Sequence, residues 1–98
     1  MIIVRDVFQL KFGKAKDVKS LMEESKKMMS PEKAKSTRVL FDLVGPAYTM
    51  VLESGYSGLT DFENSMKDHF NKPEWTEWYK KFIPNIEKSY REIFTVLE

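Results

Sequence analysis

The sequence predicts an α+β fold whose elements follow the order strand, helix, strand, strand, helix, strand. Four stretches alternate in side-chain character with the period of a β-strand, and two longer stretches between them repeat with helical spacing. The strand-like stretches also carry apolar residues on both faces. Two helices can cover only one face of such a sheet. We therefore expect a four-stranded antiparallel sheet with one covered face and one face that needs a partner.

Composition is that of an ordinary globular protein. Of the 98 residues, 42% are hydrophobic and 32% are charged, which suits one domain over residues 1–98. The net charge of +1 gives no global field for nucleic-acid binding. The absence of cysteine excludes disulfides and thiolate metal sites, and we predict no metal site of any kind. No segment reads as a signal peptide or a membrane span, so we expect a cytoplasmic protein.

The first third of the chain predicts one strand and one helix. Ile2–Phe12 alternates, and the glycine that follows ends the strand. An apolar stripe with helical spacing then runs over residues 14–29. Ser30-Pro31 stops this helix, because proline disfavours helical geometry in the residue before it. The polar segment Pro31–Ser36 predicts a loop.

The middle of the chain predicts a β-hairpin. Two alternating stretches, Thr37–Val44 and Ala47–Tyr56, flank Gly45-Pro46. Glycine and proline are typical of tight turns, and Pro46 suits the first central position of one. We therefore expect the two strands to pair antiparallel.

The last third predicts two helical pieces and the fourth strand. Ser57 is the expected N-cap of the first piece, with Asp61 in its first turn and apolar residues recurring at helical spacing as far as Phe70. Pro73 fits the first turn of a further short helix. The stretch Glu87–Leu97 alternates again and predicts the fourth strand.

This order of elements is that of a ferredoxin-like βαββαβ sandwich, in which both helices lie on one face of the sheet. The other face would keep Ile3, Val7, Val51 and either the Val39 or the Leu40 set. An apolar patch of that size is rare on a monomer. We therefore expect a homodimer that packs sheet to sheet, with no nucleic acid or membrane among its partners.

Two segments give the chain a resemblance to a known superfamily. They are the proline–acid–tryptophan helix PEWTEWY (residues 73–79) and FIPNI (residues 82–86), which lies directly before the last strand. Together with the order of elements, they resemble the dimeric α+β barrel superfamily. NIPSNAP-type domains are the most similar group, and the antibiotic-biosynthesis-monooxygenase group comes next. The resemblance implies a barrel of two sheets, but the superfamily includes oxygenases, haem degraders and isomerases, so it implies no single activity.

Asp6 is the one carboxylate on the more apolar face of the first strand. A carboxylate there needs a charged or hydrogen-bonding partner, or else it becomes a candidate general base. Strand curvature that exposes it, or pairing with Arg38 or Arg91, would give it a purely structural role. The resemblance adds that haem-degrading members carry an asparagine seven residues before the glycine that ends the first strand. Counting back from Gly13 reaches Asp6.

His69 and Tyr79 are the other candidate catalytic residues. His69 is the only histidine, so no histidine pair can hold a metal, and its place near a helix end favours a cap or surface role over that of a base. The resemblance implies that haem-degrading members place a histidine four residues beyond an aromatic residue. If Trp75 is that aromatic residue, the matching position is Tyr79. Haem degradation is therefore disfavoured, and we predict no cofactor.

Aromatic and methionine side chains predict an apolar site between the sheet and the helices. Such residues at helical spacing are more often plain core, and that alternative stays open. The candidate ligand-binding residues are Tyr48, Met50, Trp75, Trp78 and Phe82.

Three functions follow from these observations. The first is a small dimeric module that binds an apolar or aromatic ligand between sheet and helices. The second is a cofactor-independent monooxygenase-like or oxidase-like enzyme on a small aromatic substrate, with Asp6 as base and Tyr48, Tyr79 or His69 as positioning groups. The third is a purely structural dimer. A closed cavity shared by Asp6, Tyr48 and an aromatic residue from 75–82 would favour the enzyme.

Overall fold

The computed structural model describes residues 1–98 and confirms the predicted α+β fold. One antiparallel sheet of four strands, in the spatial order β2-β3-β1-β4, is accompanied by four helices and a single 3₁₀ turn. In chain order the elements are β1 (Ile2–Leu10), α1 (Ala15–Met28), α2 (Pro31–Ser36), β2 (Thr37–Phe41), β3 (Thr49–Tyr56), α3 (Leu59–Phe70), α4 (Pro73–Phe82), the 3₁₀ turn Ile83–Asn85 and β4 (Ile86–Thr95). No helix is both long and apolar enough to cross a bilayer.

The register of the strands decides which side chains face the helices. On β1, Val4 and Leu10 are buried, and Asp6 lies between them on the same face. The residues paired with Asp6 are Leu52 on β3 and Arg91 on β4. Successive residues on a strand point to opposite faces, so the even-numbered residues of β1 face the helices.

The opposite side of the sheet carries the second apolar set, as the alternation predicted. Val7 pairs with Val51 on β3, and Val51 pairs in turn with Leu40 on β2. Of the two alternatives for β2, it is therefore the Leu40 set and not the Val39 set that lies on this side. The apolar members of this surface, called the open face below, are Ile3, Val7, Leu40, Val51, Tyr90 and Phe94. No helix of the chain covers them.

The core lies between the sheet and the helices. It joins residues from β1, α1, β3 and α4 into one cluster of buried side chains: Leu10, Val18, Met22, Met50, Trp75, Trp78 and Phe82. The indole N–H of Trp78 donates to the carbonyl oxygen of Leu21 at 2.8 Å, which ties α4 to α1. Because a buried indole needs a hydrogen-bond partner, this contact fixes the orientation of the ring.

The predicted hairpin is present, but its connection is longer than a tight turn. Strand β2 ends at Phe41 and strand β3 begins at Thr49. The predicted end of the first strand at Val44 and the predicted start of the second at Ala47 are therefore wrong. The Asp42 carboxylate accepts a hydrogen bond from the backbone N–H of Thr49 at 2.9 Å and closes the loop. The last strand, Ile86–Thr95, also lies slightly earlier than predicted.

Two local predictions about helix ends are wrong. The segment Pro31–Ser36 is a short helix rather than a loop, because Ser30 accepts a hydrogen bond from the Lys33 backbone N–H at 3.2 Å and a proline follows at the first helical position. Ser57 is not the N-cap of α3, since Gly58 takes that place. Instead, the Ser57 backbone N–H and hydroxyl both bond to the Asp61 carboxylate, at 3.0 and 3.2 Å.

Candidate functional site

A cleft lies between the sheet and the helices, beside the buried core. It consists of two cavities of about 610 Å³ and about 360 Å³. Both are lined by the same five residues at their junction: Asp6, Leu52, Phe70, Tyr79 and Arg91. We refer to the two together as the sheet–helix cleft. Their volumes fall in the range of small-molecule sites in proteins.

Asp6 lies in this cleft with an arginine as its partner. Because Asp6 and Arg91 are paired across β1 and β4, the guanidinium Nε donates to the Asp6 Oδ1 at 2.6 Å. The carboxylate side chain is 20% exposed, whereas that of Arg91 is 48% exposed. Arg91 therefore compensates the negative charge of Asp6 on the apolar face of β1. This pairing is one of the alternatives to a catalytic role for Asp6 that the sequence left open. The guanidinium also lies over the Phe62 ring, 5.1 Å from the centroid.

His69 and Tyr79 meet inside the cleft, although the sequence favoured a surface position for the histidine. The imidazole Nε2 and the phenol oxygen share a hydrogen bond of 3.2 Å, and the imidazole lies 4.1 Å from the Trp75 ring. Burial, together with the positive charges of Lys33 and Lys72, lowers the pKa of His69 below 6.5. The imidazole is therefore uncharged at neutral pH.

The environment of Tyr79 keeps its phenol protonated. Burial raises the pKa of Tyr79 above 10, the Asp6 carboxylate raises it further, and the Arg91 guanidinium acts in the opposite direction. A protonated phenol in an apolar wall can donate a hydrogen bond to His69 or to a ligand. Tyr79 is therefore a neutral polar group at the junction of the two cavities.

A pH prediction follows from the lowered pKa of His69. The stability that depends on the uncharged imidazole is present above the unfolded-state pKa of 6.5 and is lost as pH falls through the lower folded-state pKa. We expect urea unfolding of the wild type to lose more free energy than that of His69→Gln between about pH 7.5 and about pH 5. Glutamine keeps a polar group near Tyr79 but cannot titrate. If the free energies of unfolding of the wild type and of His69→Gln changed equally with pH, the prediction would be contradicted.

The predicted ligand-binding residues divide between the two cavities. Met50, Trp78 and Phe82 line the smaller cavity, and Trp75 lines the larger one. Tyr48 lines neither. Its backbone has a positive φ of 58° at the hairpin loop, and its ring packs against Phe12 at 5.0 Å. The cavity shared by Asp6 and Tyr48 that would favour the enzyme is therefore not formed.

Lys33 belongs to the cleft and carried no functional signal in the sequence. Its ammonium donates to the Tyr56 hydroxyl and, at 2.8 Å, to the Ser65 hydroxyl. All three residues line the larger cavity. The sequence prediction missed this lysine because it assigned residues 31–36 to a loop. The one available signal was the Ser30-Pro31 pair, which is also typical of a helix start.

No cluster of three or more His, Cys, Asp or Glu side chains has the arrangement of a metal site. The polar groups of the cleft include one carboxylate–guanidinium pair, one imidazole–phenol pair and one lysine with two hydroxyls. Such a set can orient a small organic molecule by hydrogen bonds within aromatic walls.

Comparison with solved structures confirms the predicted resemblance in the fold. A NIPSNAP family protein from Agrobacterium tumefaciens superimposes with a TM-score of 0.89 at 16% identity, covering 99% of this chain and 86% of that one. An uncharacterised NIPSNAP domain protein from Burkholderia xenovorans gives 0.82 at 11% identity, covering 99% and 95%. An antibiotic-biosynthesis-monooxygenase-like protein from Nitrosomonas europaea gives 0.71 at 16% identity, covering both chains entirely.

No protein-family model matches the sequence, and no curated protein matches it. The sequence identities to the similar structures are too low to transfer an activity, so the comparison establishes the fold and leaves the chemistry to the site itself.

Proposed function

We propose that this protein is a homodimer in which each protomer binds a small aromatic ligand in the sheet–helix cleft. The observation that carries the proposal is the pair of adjoining cavities between sheet and helices, with Tyr79 and Leu52 at their junction. An aromatic wall with a few converging polar groups is the usual composition of a small-molecule site.

The walls of the cleft favour a flat ring over a flexible chain. Trp75 and Trp78 meet edge to face at 5.8 Å, and Trp78 stacks on Phe82 at 4.7 Å. These rings are packed and buried, so they offer a preformed surface whose ordering costs little at the moment of binding. Tyr79 supplies a polar contact for a hydroxyl or carbonyl group on the ring.

The structure supports binding more than base catalysis. Arg91 already occupies Oδ1 of Asp6 at 2.6 Å, so proton abstraction at that atom would have to displace the guanidinium. Tyr48, the positioning group expected beside Asp6, lies outside the cleft. The alternative of a purely structural dimer has the weakness that it leaves the two cavities and their polar pairs without a role.

The open face supports the dimer. Its central residues Val7 and Val51 are only partly buried by the chain itself, and Tyr90 is 60% exposed. Within this face, between Ile3 and Val7 on β1, Arg5 lies 3.7 Å from Glu53, which also pairs with Arg38. Because Glu53 compensates one of the two arginines, a second sheet can cover this group at a smaller desolvation cost than three isolated charges would impose.

Filling the junction of the two cavities should abolish ligand binding. Leu52 lines both cavities, so Leu52→Trp places an indole in the space that the ligand would occupy. We expect isothermal titration calorimetry to show binding of 2-naphthol to the wild type and at least about tenfold weaker binding to the variant.

The matched control is Leu59→Trp, which makes the same change on α3 at a residue that lines neither cavity and is 63% exposed. It should bind 2-naphthol as the wild type does. Equal binding by Leu52→Trp, with both variants folded by circular dichroism, would place the ligand elsewhere. No binding to the wild type by any of a panel of naphthols and phenols would refute the proposed function.

A further inference from the structure

We infer that the ligand of the sheet–helix cleft is an aromatic monocarboxylic acid, whose carboxylate binds to Lys33, Tyr56 and Ser65 while its ring lies against Trp75 and Tyr79. This inference rests on the proposed function and specifies the chemical class of the ligand. We refer to the three polar residues together as the Lys33 cluster. They line the same cavity as the two aromatic residues.

The Lys33 cluster presents donors that the protein itself leaves unused. An ammonium group has three donors, and Lys33 uses one for the Tyr56 hydroxyl and one for the Ser65 hydroxyl. Each hydroxyl accepts from Lys33 and makes no other hydrogen bond, so each retains its own O–H for donation. Three donors of this kind suit a carboxylate, whose oxygens only accept.

No carboxylate of the chain neutralises Lys33. The eight ion pairs of the structure involve other cations, and Lys33 has no carboxylate within 4.0 Å. The side chain is nevertheless partly buried. It lies against the Tyr56 ring, with its nitrogen 4.1 Å from the centroid. A partly buried cation held only by neutral groups is a favourable place for an anion.

The other charges of the cavity favour a ligand with one negative charge over a polyanion. Asp6 is paired with Arg91, and Asp61 is held by Ser57. Counted together, the charged residues of the larger cavity carry a formal sum of −1: Lys33, Lys72 and Arg91 against Asp6, Glu32, Asp61 and Asp68. This balance repels a polyanion such as a phosphate ester, whereas one carboxylate placed at the Lys33 cluster gains a local partner.

The uncharged state of His69 is consistent with this assignment. The positive charge of Lys33 contributes to lowering the pKa of His69, so the two groups act within one electrostatic environment. The imidazole therefore presents a neutral surface to the ring of the ligand, while the charge resides on Lys33.

Two probes that differ only in the head group test the inference. We expect calorimetry at pH 7 to show 2-naphthylacetate binding at least about tenfold more tightly than its neutral analogue 2-naphthylacetamide. Lys33→Met should remove that preference, because it weakens binding of the carboxylate far more than binding of the amide. Lys35→Met is the matched control, because Lys35 lies on the same helix, is exposed and makes no ion pair or side-chain hydrogen bond. It should keep the preference.

The outcomes separate this inference from the proposed function. Equal binding of the two probes to the wild type would overturn the inference and leave the proposed function standing, and this measurement needs no variant. A preference that persists in Lys33→Met would also overturn it, since the carboxylate would then bind elsewhere. Binding of neither probe would overturn the inference, and the proposed function would fall with it if 2-naphthol also failed to bind.

Discussion

Replacing Val51 with glutamate should convert the proposed dimer into a monomer. Val51 lies at the centre of the open face, where its neighbours across the strands are Val7 on β1 and Leu40 on β2. In a sheet-to-sheet dimer this position is covered by the second copy. A carboxylate there would be buried among apolar side chains. The cations on the neighbouring strands, Arg5 and Arg38, are already engaged with Glu53, so the new charge would cost several kcal/mol.

Sedimentation velocity at micromolar concentration measures the result directly. We expect the wild type to sediment as a dimer and Val51→Glu as a monomer. Leu59→Glu makes the same chemical change on α3, on the other side of the molecule, and should leave the dimer intact. A wild type that sediments as a monomer, or a Val51→Glu variant that remains a dimer, would refute the sheet-to-sheet assembly.

The fold could be predicted because its signals are periodic and local. Alternation over Ile2–Leu10 identifies a strand, and it places Val7 opposite Val4 whatever the rest of the chain does. The alternation does not say which of these two faces the helices cover. That choice depends on which sets from all four strands pack against α1 and α4, and it became clear only from the register.

Local details were less predictable where two signals compete. Ser30-Pro31 ends α1 and also begins α2, so the same pair that stops one helix caps the next. Similarly, Ser57 does contact the first turn of α3, but it donates its hydroxyl to Asp61 instead of accepting a backbone N–H. In both cases the sequence correctly marked the residues at a helix boundary, but it did not predict which hydrogen bonds they make.

The site was predictable only in part, because it depends on side chains that are distant in sequence. Asp6 and Tyr79 were candidates, and both lie at the junction of the cavities. Their connections to Arg91 and His69 follow from strand register and from the packing of α3 against α4. The wrong loop assignment hid the helix that carries Lys33, and its role also depends on Tyr56 and Ser65, which lie 23 and 32 residues away along the chain.

Trp78 belongs to the buried core beside the cleft, and Trp78→Ala should lower the free energy of unfolding of the protein by about 3–5 kcal/mol. The side chain is 5% exposed and stacks on Phe82 with ring centroids 4.7 Å apart. Its removal leaves a cavity and leaves the Leu21 carbonyl oxygen without its indole donor. Domains of this size are stable by only about 5–15 kcal/mol, so this loss is a large share of the total.

Urea denaturation at one fixed protein concentration measures this loss, since dimerisation would otherwise change the apparent stability. Trp78→Phe keeps an aromatic ring against Phe82 but has no donor for the Leu21 carbonyl oxygen. We therefore expect it to lower the free energy of unfolding by less than Trp78→Ala does. Leu59→Ala, on the exposed side of α3, should change stability by no more than about 0.5 kcal/mol. If Trp78→Ala were no less stable than Leu59→Ala, the packing of α4 on α1 would not be what holds the aromatic wall of the cleft. In that case the rings could not be a preformed surface for a ligand.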